Sequence, residues 1–126
     1  MNDCIVGIGS NVEPEKNIAK MLKLLANEVV IVQVSKIVKT KPIGIANQPD
    51  FSNGAVRIKT EKGMDELNQL LKSLEDQMGR DRTQPKFGPR TIDLDIMIWN
   101  NVIIDTDFFS REFLRNSATE LGFIPD

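Results

Sequence analysis

Two aspartates stand two residues apart in Arg90-Thr91-Ile92-Asp93-Leu94-Asp95-Ile96-Met97-Ile98. In a strand, side chains alternate between faces. Ile92, Leu94, Ile96 and Ile98 then share one face, and Asp93 and Asp95 share the other, roughly 6–7 Å apart. An unpaired carboxylate inside a sheet is costly, so the pair calls for cations. Two hard-oxygen ligands suit Mg²⁺, which takes few carboxylates and completes its shell with water and substrate phosphates. Arg80, Arg82, Lys86 and Arg90 lie in the stretch that leads into this strand. Guanidinium forks bind phosphate oxygens bidentately and stabilise charge that develops during transfer. The chemistry this constellation can perform is phosphoryl-type transfer. The plainer alternatives are two exposed acids on an edge strand and a solvated basic loop. An uninterrupted aliphatic opposite face argues against the first, and the residue types leave the second open.

The rest of the composition narrows the chemistry. The 126 residues contain no histidine, which removes Ser-His and Cys-His nucleophilic catalysis and the commonest transition-metal ligand. One cysteine, Cys4, leaves no internal disulfide and no cysteine-rich zinc site. It sits in an apolar run as a small buried hydrophobe. A net charge of -2 gives no global pull toward nucleic acid or anionic membrane. No apolar run approaches the roughly 18 residues of a membrane span. The start, Met1-Asn2-Asp3-Cys4, lacks the basic region and long apolar run of a signal peptide. The expected setting is the cytoplasm, and the expected state is a monomer by default.

The elements that must position the aspartates follow from periodicity. The length suits a single domain, 1–126. Cys4 to Gly9 reads as a buried strand. Pro14 opens a helix running to about Asn27, with Ile18, Met21, Leu22 and Leu25 at helical spacing. Val29 to Thr40 reads as one long strand and residues 41–50 as a loop. Phe51 to Thr60 reads as a strand with Val56 and Ile58 on one face and Phe51, Asn53 and Ala55 on the other. Gly63 to about Gln77 is an amphipathic helix ending at Gly79. Arg80 to Pro89 is a loop, Ile92 to Trp99 the aspartate strand, and Val102 to Ile104 a hairpin strand after Asn100-Asn101. A short helix is expected across Arg111–Leu121.

The order is β-α-β-β-α-β plus a C-terminal hairpin strand. It predicts an α+β ferredoxin-like sandwich, an antiparallel sheet with two helices on one face. Those helices would cover Ile92, Leu94, Ile96, Ile98, Val56 and Ile58. The other face would carry Asp93, Asp95, Phe51 and Asn53 as a ligand floor. Phe51 and Asn53 are either a rim aromatic and a turn amide, or a stacking platform and an edge reader for a planar heterocycle. Gly9-Ser10-Asn11 is similar to a short phosphate turn but lacks P-loop spacing and its lysine.

Taken together, these segments resemble the 6-hydroxymethyl-7,8-dihydropterin pyrophosphokinase family of folate biosynthesis. The resemblance runs through Ile8-Gly9-Ser10-Asn11, Thr40-Lys41-Pro42-Ile43-Gly44 and Gln48-Pro49-Asp50-Phe51-Ser52-Asn53-Gly54-Ala55-Val56. It continues through Gly79-Arg80-Asp81-Arg82 and peaks at Phe87-Gly88-Pro89-Arg90-Thr91-Ile92-Asp93-Leu94-Asp95-Ile96. The family moves a pyrophosphoryl group from ATP to a pterin hydroxymethyl oxygen and releases AMP. The resemblance implies that Asp93 and Asp95 hold two Mg²⁺ ions, and that Arg80, Arg82 and Arg90 assist ATP binding and catalysis. It also implies that Phe51 and Phe113 sandwich the pterin, while Asn53, with the backbone near Thr40 and Ile43, reads its edge. Glu75, Phe87 and Arg111 are then expected near the nucleotide.

The chain also departs from the family pattern. Phe108-Phe109-Ser110 runs directly into Arg111-Glu112-Phe113, where family members carry a Pro-His-containing stretch and an adjacent Tyr. Phe87 stands where Trp is usual, and Thr83 where a basic residue is common. Ala118-Thr119-Glu120-Leu121 resembles the family's Ala-Pro-Glu-Leu region. An active enzyme with weaker phosphate contacts is one expectation. A homologue that binds pterin or nucleotide but is catalytically weak, or acts on a modified pterin, is another. A sheet that binds RNA would want exposed aromatics and a basic surface, which few aromatics and a net charge of -2 oppose.

Overall fold

The computed structural model describes residues 1–42, 47–79, 83 and 89–125, apart from the side chain of Phe109. It has a mixed α/β architecture. In chain order the elements are β1 (Asn2–Ser10), α1 (Pro14–Ala26), β2 (Val30–Val34), β3 (Val38–Thr40), β4 (Phe51–Thr60) and α2 (Met64–Gln77). There follow β5 (Asp93–Trp99), β6 (Val102–Ile103), a 3-10 turn (Thr106–Phe109) and α3 (Glu112–Glu120). The six strands form one sheet in the order β2-β4-β1-β5-β6, with β3 continuing the β2 side of β4. Every pairing is antiparallel.

Alternation along the central strands sorts two cores. Cys4, Val6 and Ile8 of β1, Val56 and Ile58 of β4, and Ile92, Leu94 and Ile96 pack against one helical layer. That layer supplies Ile18, Met21 and Leu25 from α1 and Leu67, Leu71 and Leu74 from α2. The α2 start is held by the Gly63 N–H donating to Glu66 Oε1 at 3.3 Å. Its end is turned by Gly79 at φ 91, a left-handed value that costs glycine nothing. Ile5, Ala55, Met97 and Ile98 face the other way and pack with Phe108, Leu114, Ala118, Leu121 and Phe123. A third helix, α3, therefore covers part of the face opposite α1 and α2.

Two sequence expectations change here. Ile98 does not join Ile92, Leu94 and Ile96. Ile5 pairs with Ile98 but Val6 pairs with Ile96, so β5 carries one extra residue, Met97, at a bulge. A bulge resets the alternation and turns Ile98 to the α3 face. The long strand expected over Val29 to Thr40 is two pieces. At the break, the Ser35 N–H donates to the Ala55 carbonyl at 2.9 Å, and the Ala55 N–H donates to Ser35 Oγ at 2.8 Å. The serine hydroxyl takes a bond that a backbone carbonyl would otherwise accept, and the ladder resumes with Val38 opposite Asn53. The hairpin after β5 turns through Asn100 and Asn101, both at positive φ (47 and 66), the conformation a two-residue turn between twisted strands requires. Among the described residues, no helix is long and apolar enough to cross a membrane.

Candidate active site

The face opposite α1 and α2 opens, beside α3, into a cleft of about 380 Å³. Its floor is a row across three strands. Asn53 of β4 and Asp93 of β5 both stand opposite Gly9 of β1, and Ala55 and Asp95 both stand opposite Gly7. Cross-strand partners share a face, so the carboxylates and the amide flank a lane that has no side chains. A Cβ at Gly9 would come within 3.1 Å of Asn53 Oδ1, and one at Gly7 within 3.2 Å of Met97 Sδ. The lane exists because β1 places glycine at both positions. A Gly-x-Gly alternation inside a strand was the signal for it, and it carries no chemistry until the partner strands are known.

Thr40, Phe51, Asn53, Arg90, Asp93, Asp95, Arg111 and Phe113, all singled out from the sequence, line this cleft. Lys41, Lys72, Met97, Asp105 and Asp107 also line it and were not singled out. Thr40 pairs with Phe51 across β3 and β4. The Asn53 amide N–H donates to the Thr40 hydroxyl, which fixes the amide plane and leaves Oδ1 toward the Gly9 lane. Phe113, in the first turn of α3, supplies a second aromatic to the walls. Arg111 pairs with Asp107 at 3.6 Å.

The carboxylate pair is electrostatically loaded. Enclosure by the cleft pushes the Asp95 carboxyl above its ordinary range, and Asp93 beside it pushes the same way, against the pull of Lys72. The Asp95 side chain is nevertheless 55% exposed, because it projects into the open cleft. Among the described residues, no three His, Cys, Asp or Glu side chains converge to hold a metal ion by themselves. Two like-charged oxygen ligands facing one open space fit Mg²⁺, whose remaining positions go to water and substrate.

Arg90 is buried and is set by Asn11. The Arg90 N–H donates to Asn11 Oδ1 at 2.8 Å, and the Asn11 N–H donates to the Arg90 carbonyl at 3.1 Å. Asn11 Nδ2 also donates to Gln48 Oε1 at 2.8 Å and to the Pro49 carbonyl at 3.1 Å. Ser10 Oγ donates to the Thr91 carbonyl at 2.7 Å. The side chains of Ser10 and Asn11 are thus used inward, as a staple between the entries to β4 and β5.

Glu75 is not among the lining residues. It is fully buried behind β5, where Oε2 accepts the Leu94 N–H at 2.8 Å and Lys72 Nζ lies 3.4 Å away. Ile43, Arg80, Arg82 and Phe87 lie outside the described residues.

Residues 5–122 match the family described as 7,8-dihydro-6-hydroxymethylpterin-pyrophosphokinase. A Bacillus subtilis protein named 2-amino-4-hydroxy-6-hydroxymethyldihydropteridine pyrophosphokinase is 35% identical over 84% of this chain and 65% of its own length. The protein of that name in Haemophilus influenzae is 32% identical over 86% of this chain and 74% of its own. A folate synthesis bifunctional protein of Arabidopsis thaliana is 32% identical over 83% of this chain but only 22% of its own length. The chain therefore spans about two thirds of the Bacillus relative and a much smaller part of the plant one.

Proposed function

Because the chain belongs to the 7,8-dihydro-6-hydroxymethylpterin-pyrophosphokinase family, we propose that it transfers pyrophosphate from ATP to 6-hydroxymethyl-7,8-dihydropterin, giving the dihydropterin diphosphate and AMP. The observation that carries this reading is the floor of the cleft, where Asp93 and Asp95 stand across a glycine lane from Asn53. On this reading the lane sets a charged half beside a half suited to a planar heterocycle. The strand order β2-β4-β1-β5, with α1 and α2 on one face, reads as a ferredoxin-like sandwich carrying an added hairpin strand and α3, within one domain over 1–126. A monomer in the cytoplasm, acting on small molecules, suits this reading.

In this reaction the pterin hydroxymethyl oxygen forms a bond to the β-phosphorus of ATP. The bond from that phosphorus to the α–β bridging oxygen breaks, AMP leaves with the bridging oxygen, and the hydroxyl proton passes to solvent. Such transfer depends mainly on alignment and charge neutralisation, so the absence of histidine is no obstacle. Phe51 and Phe113 would stack on the two faces of the pterin, and Asn53 Oδ1 would accept from its edge. Arg90, Lys41 and Arg111 would bind the phosphate chain, joined by Arg80 and Arg82, while Phe87 and Glu75 would belong to the nucleotide's surroundings. Asp93 and Asp95 would hold two Mg²⁺ ions, which would supply positive charge to offset that of the phosphates and to orient the attacking hydroxyl toward the β-phosphorus.

Incubation with ATP, Mg²⁺ and the hydroxymethyl dihydropterin should release AMP in step with loss of the pterin. No AMP from a protein that still binds the pterin would favour the second reading, a catalytically weak binder or one specific for a modified pterin. That reading rests on the lack of any histidine where family members carry one near Ser110-Arg111.

A further inference from the structure

Lys72 belongs to α2, in the layer behind the sheet, yet its ammonium reaches the cleft. Nζ donates to the Leu94 carbonyl at 3.1 Å, to Glu75 Oε2 at 3.4 Å and to Asp95 Oδ1 at 3.5 Å. The contacts differ in kind. Glu75 is fully buried and also bonds the Leu94 N–H. That carboxylate and the carbonyl of the same strand residue form a fixed seat. Asp95 is the partner that opens to solvent. With Asp95 engaged elsewhere, the seat would still hold the ammonium at the cleft wall.

We propose that Lys72 is a resident counter-cation, screening Asp95 in the metal-free protein and competing with the divalent ion for it. Lys72 would thereby set the metal affinity of the site. The proposal rests on the reading of Asp93 and Asp95 as metal ligands. A carboxylate already compensated by an ammonium attracts a dication less strongly, and the ion that displaces the contact meets a fixed positive charge nearby. Metal alone then binds weakly. A nucleotide supplies phosphate oxygens to both the ion and the ammonium, so metal and nucleotide load together.

The test is titration of Mn²⁺ alone into the nucleotide-free protein, read by loss of the free-ion electron paramagnetic resonance signal. Lys72→Gln should bind Mn²⁺ about three- to tenfold more tightly than wild type. Lys72→Arg, which keeps the charge, should return the affinity toward wild type. Removing the ammonium takes one cation away from the buried Glu75 carboxylate, so the double variant Lys72→Gln/Glu75→Gln carries the same test with that charge also removed. Unchanged affinity in both neutral variants, with binding lost in Asp95→Asn, would overturn the role of Lys72 and leave the metal reading standing. Absence of Mn²⁺ binding from wild type and from both neutral variants alike, or binding that survives Asp95→Asn, would overturn both.

Discussion

Arg90 and Asn11 hold each other by two hydrogen bonds, one from each backbone N–H, and the same asparagine reaches Gln48 and Pro49. One side chain thus joins the strand end that enters the aspartate strand to the segment that enters the aromatic one. Asn11→Ala would leave the Arg90 N–H without its acceptor in a buried site, at a cost of about 1–3 kcal/mol. The expected result is a melting point lower by about 4–10 °C. The kcat/KM values for both substrates should fall together, because both halves of the cleft lose one shared support. Calorimetry and steady-state kinetics check this; an effect on a single substrate would refute the shared support.

On the proposed reading, Asp95 sets function against stability. Its carboxyl is pushed upward by burial first and by Asp93 second. The folded protein therefore holds that proton more tightly than the unfolded chain does, and stability is lost as pH rises through the folded pKa. Asp95→Asn should melt about 1–3 °C higher than wild type near pH 7.5 without metal. The difference should shrink as the pH falls below the ordinary carboxylate range. The same variant should show no Mg²⁺-dependent turnover. Thermal scans across pH, paired with the AMP assay, decide it.

The aspartate pair was legible in the sequence because Ile92, Leu94 and Ile96 mark one face so clearly that the other could be read by subtraction. The same rule misplaces Ile98, because a bulge at Met97 leaves no local mark among aliphatic residues. Periodicity on α2 sorts its apolar side from its polar side, but Lys72 acquires meaning only when α2 is docked behind β5. Glu75 shows the reverse. The family resemblance sets it near the nucleotide, and in the fold its buried carboxylate also accepts a strand N–H, a use no spacing announces. The lane formed by Gly7 and Gly9 leaves no chemical mark in the sequence, because their contribution is empty space between residues far apart in the chain.

Phe51 lines the cleft beside Asn53. Phe51→Ala would remove a stacking face, weakening pterin binding by about 1–3 kcal/mol. ATP-analogue affinity should change little, since the residue stands on the strand away from the carboxylates. Calorimetric titration of each ligand separates the two, and an unchanged pterin affinity would take Phe51 out of the pocket.

Cys4 is 1% exposed, and burial, reinforced by Asp3, pushes its thiol up to about 12. The thiolate is the reactive species, so the native protein should be inert to Ellman's reagent at pH 8 over hours. One equivalent should react once the protein is denatured. Rapid native labelling would mean that β1 opens far more readily than its two-sided pairing implies.

Gly9 and Gly7 separate the geometry of the lane from the stability of the strand. Alanine suits a strand interior at least as well as glycine does, so neither Gly9→Ala nor Gly7→Ala should unfold the protein through backbone propensity. The new methyl groups meet different neighbours. At position 7 the contact is the flexible end of Met97, at 3.2 Å, which can turn aside. At position 9 it is Asn53 Oδ1, at 3.1 Å, whose amide is tied to Thr40 and cannot yield without losing that bond. Gly9→Ala should therefore weaken pterin binding about tenfold or more, the loss of one well-placed hydrogen bond. Gly7→Ala should act on turnover through the neighbouring Asp95 and change pterin affinity less. Equal effects of the two variants on pterin affinity would show that the lane does not divide the cleft into a heterocycle half and a charged half.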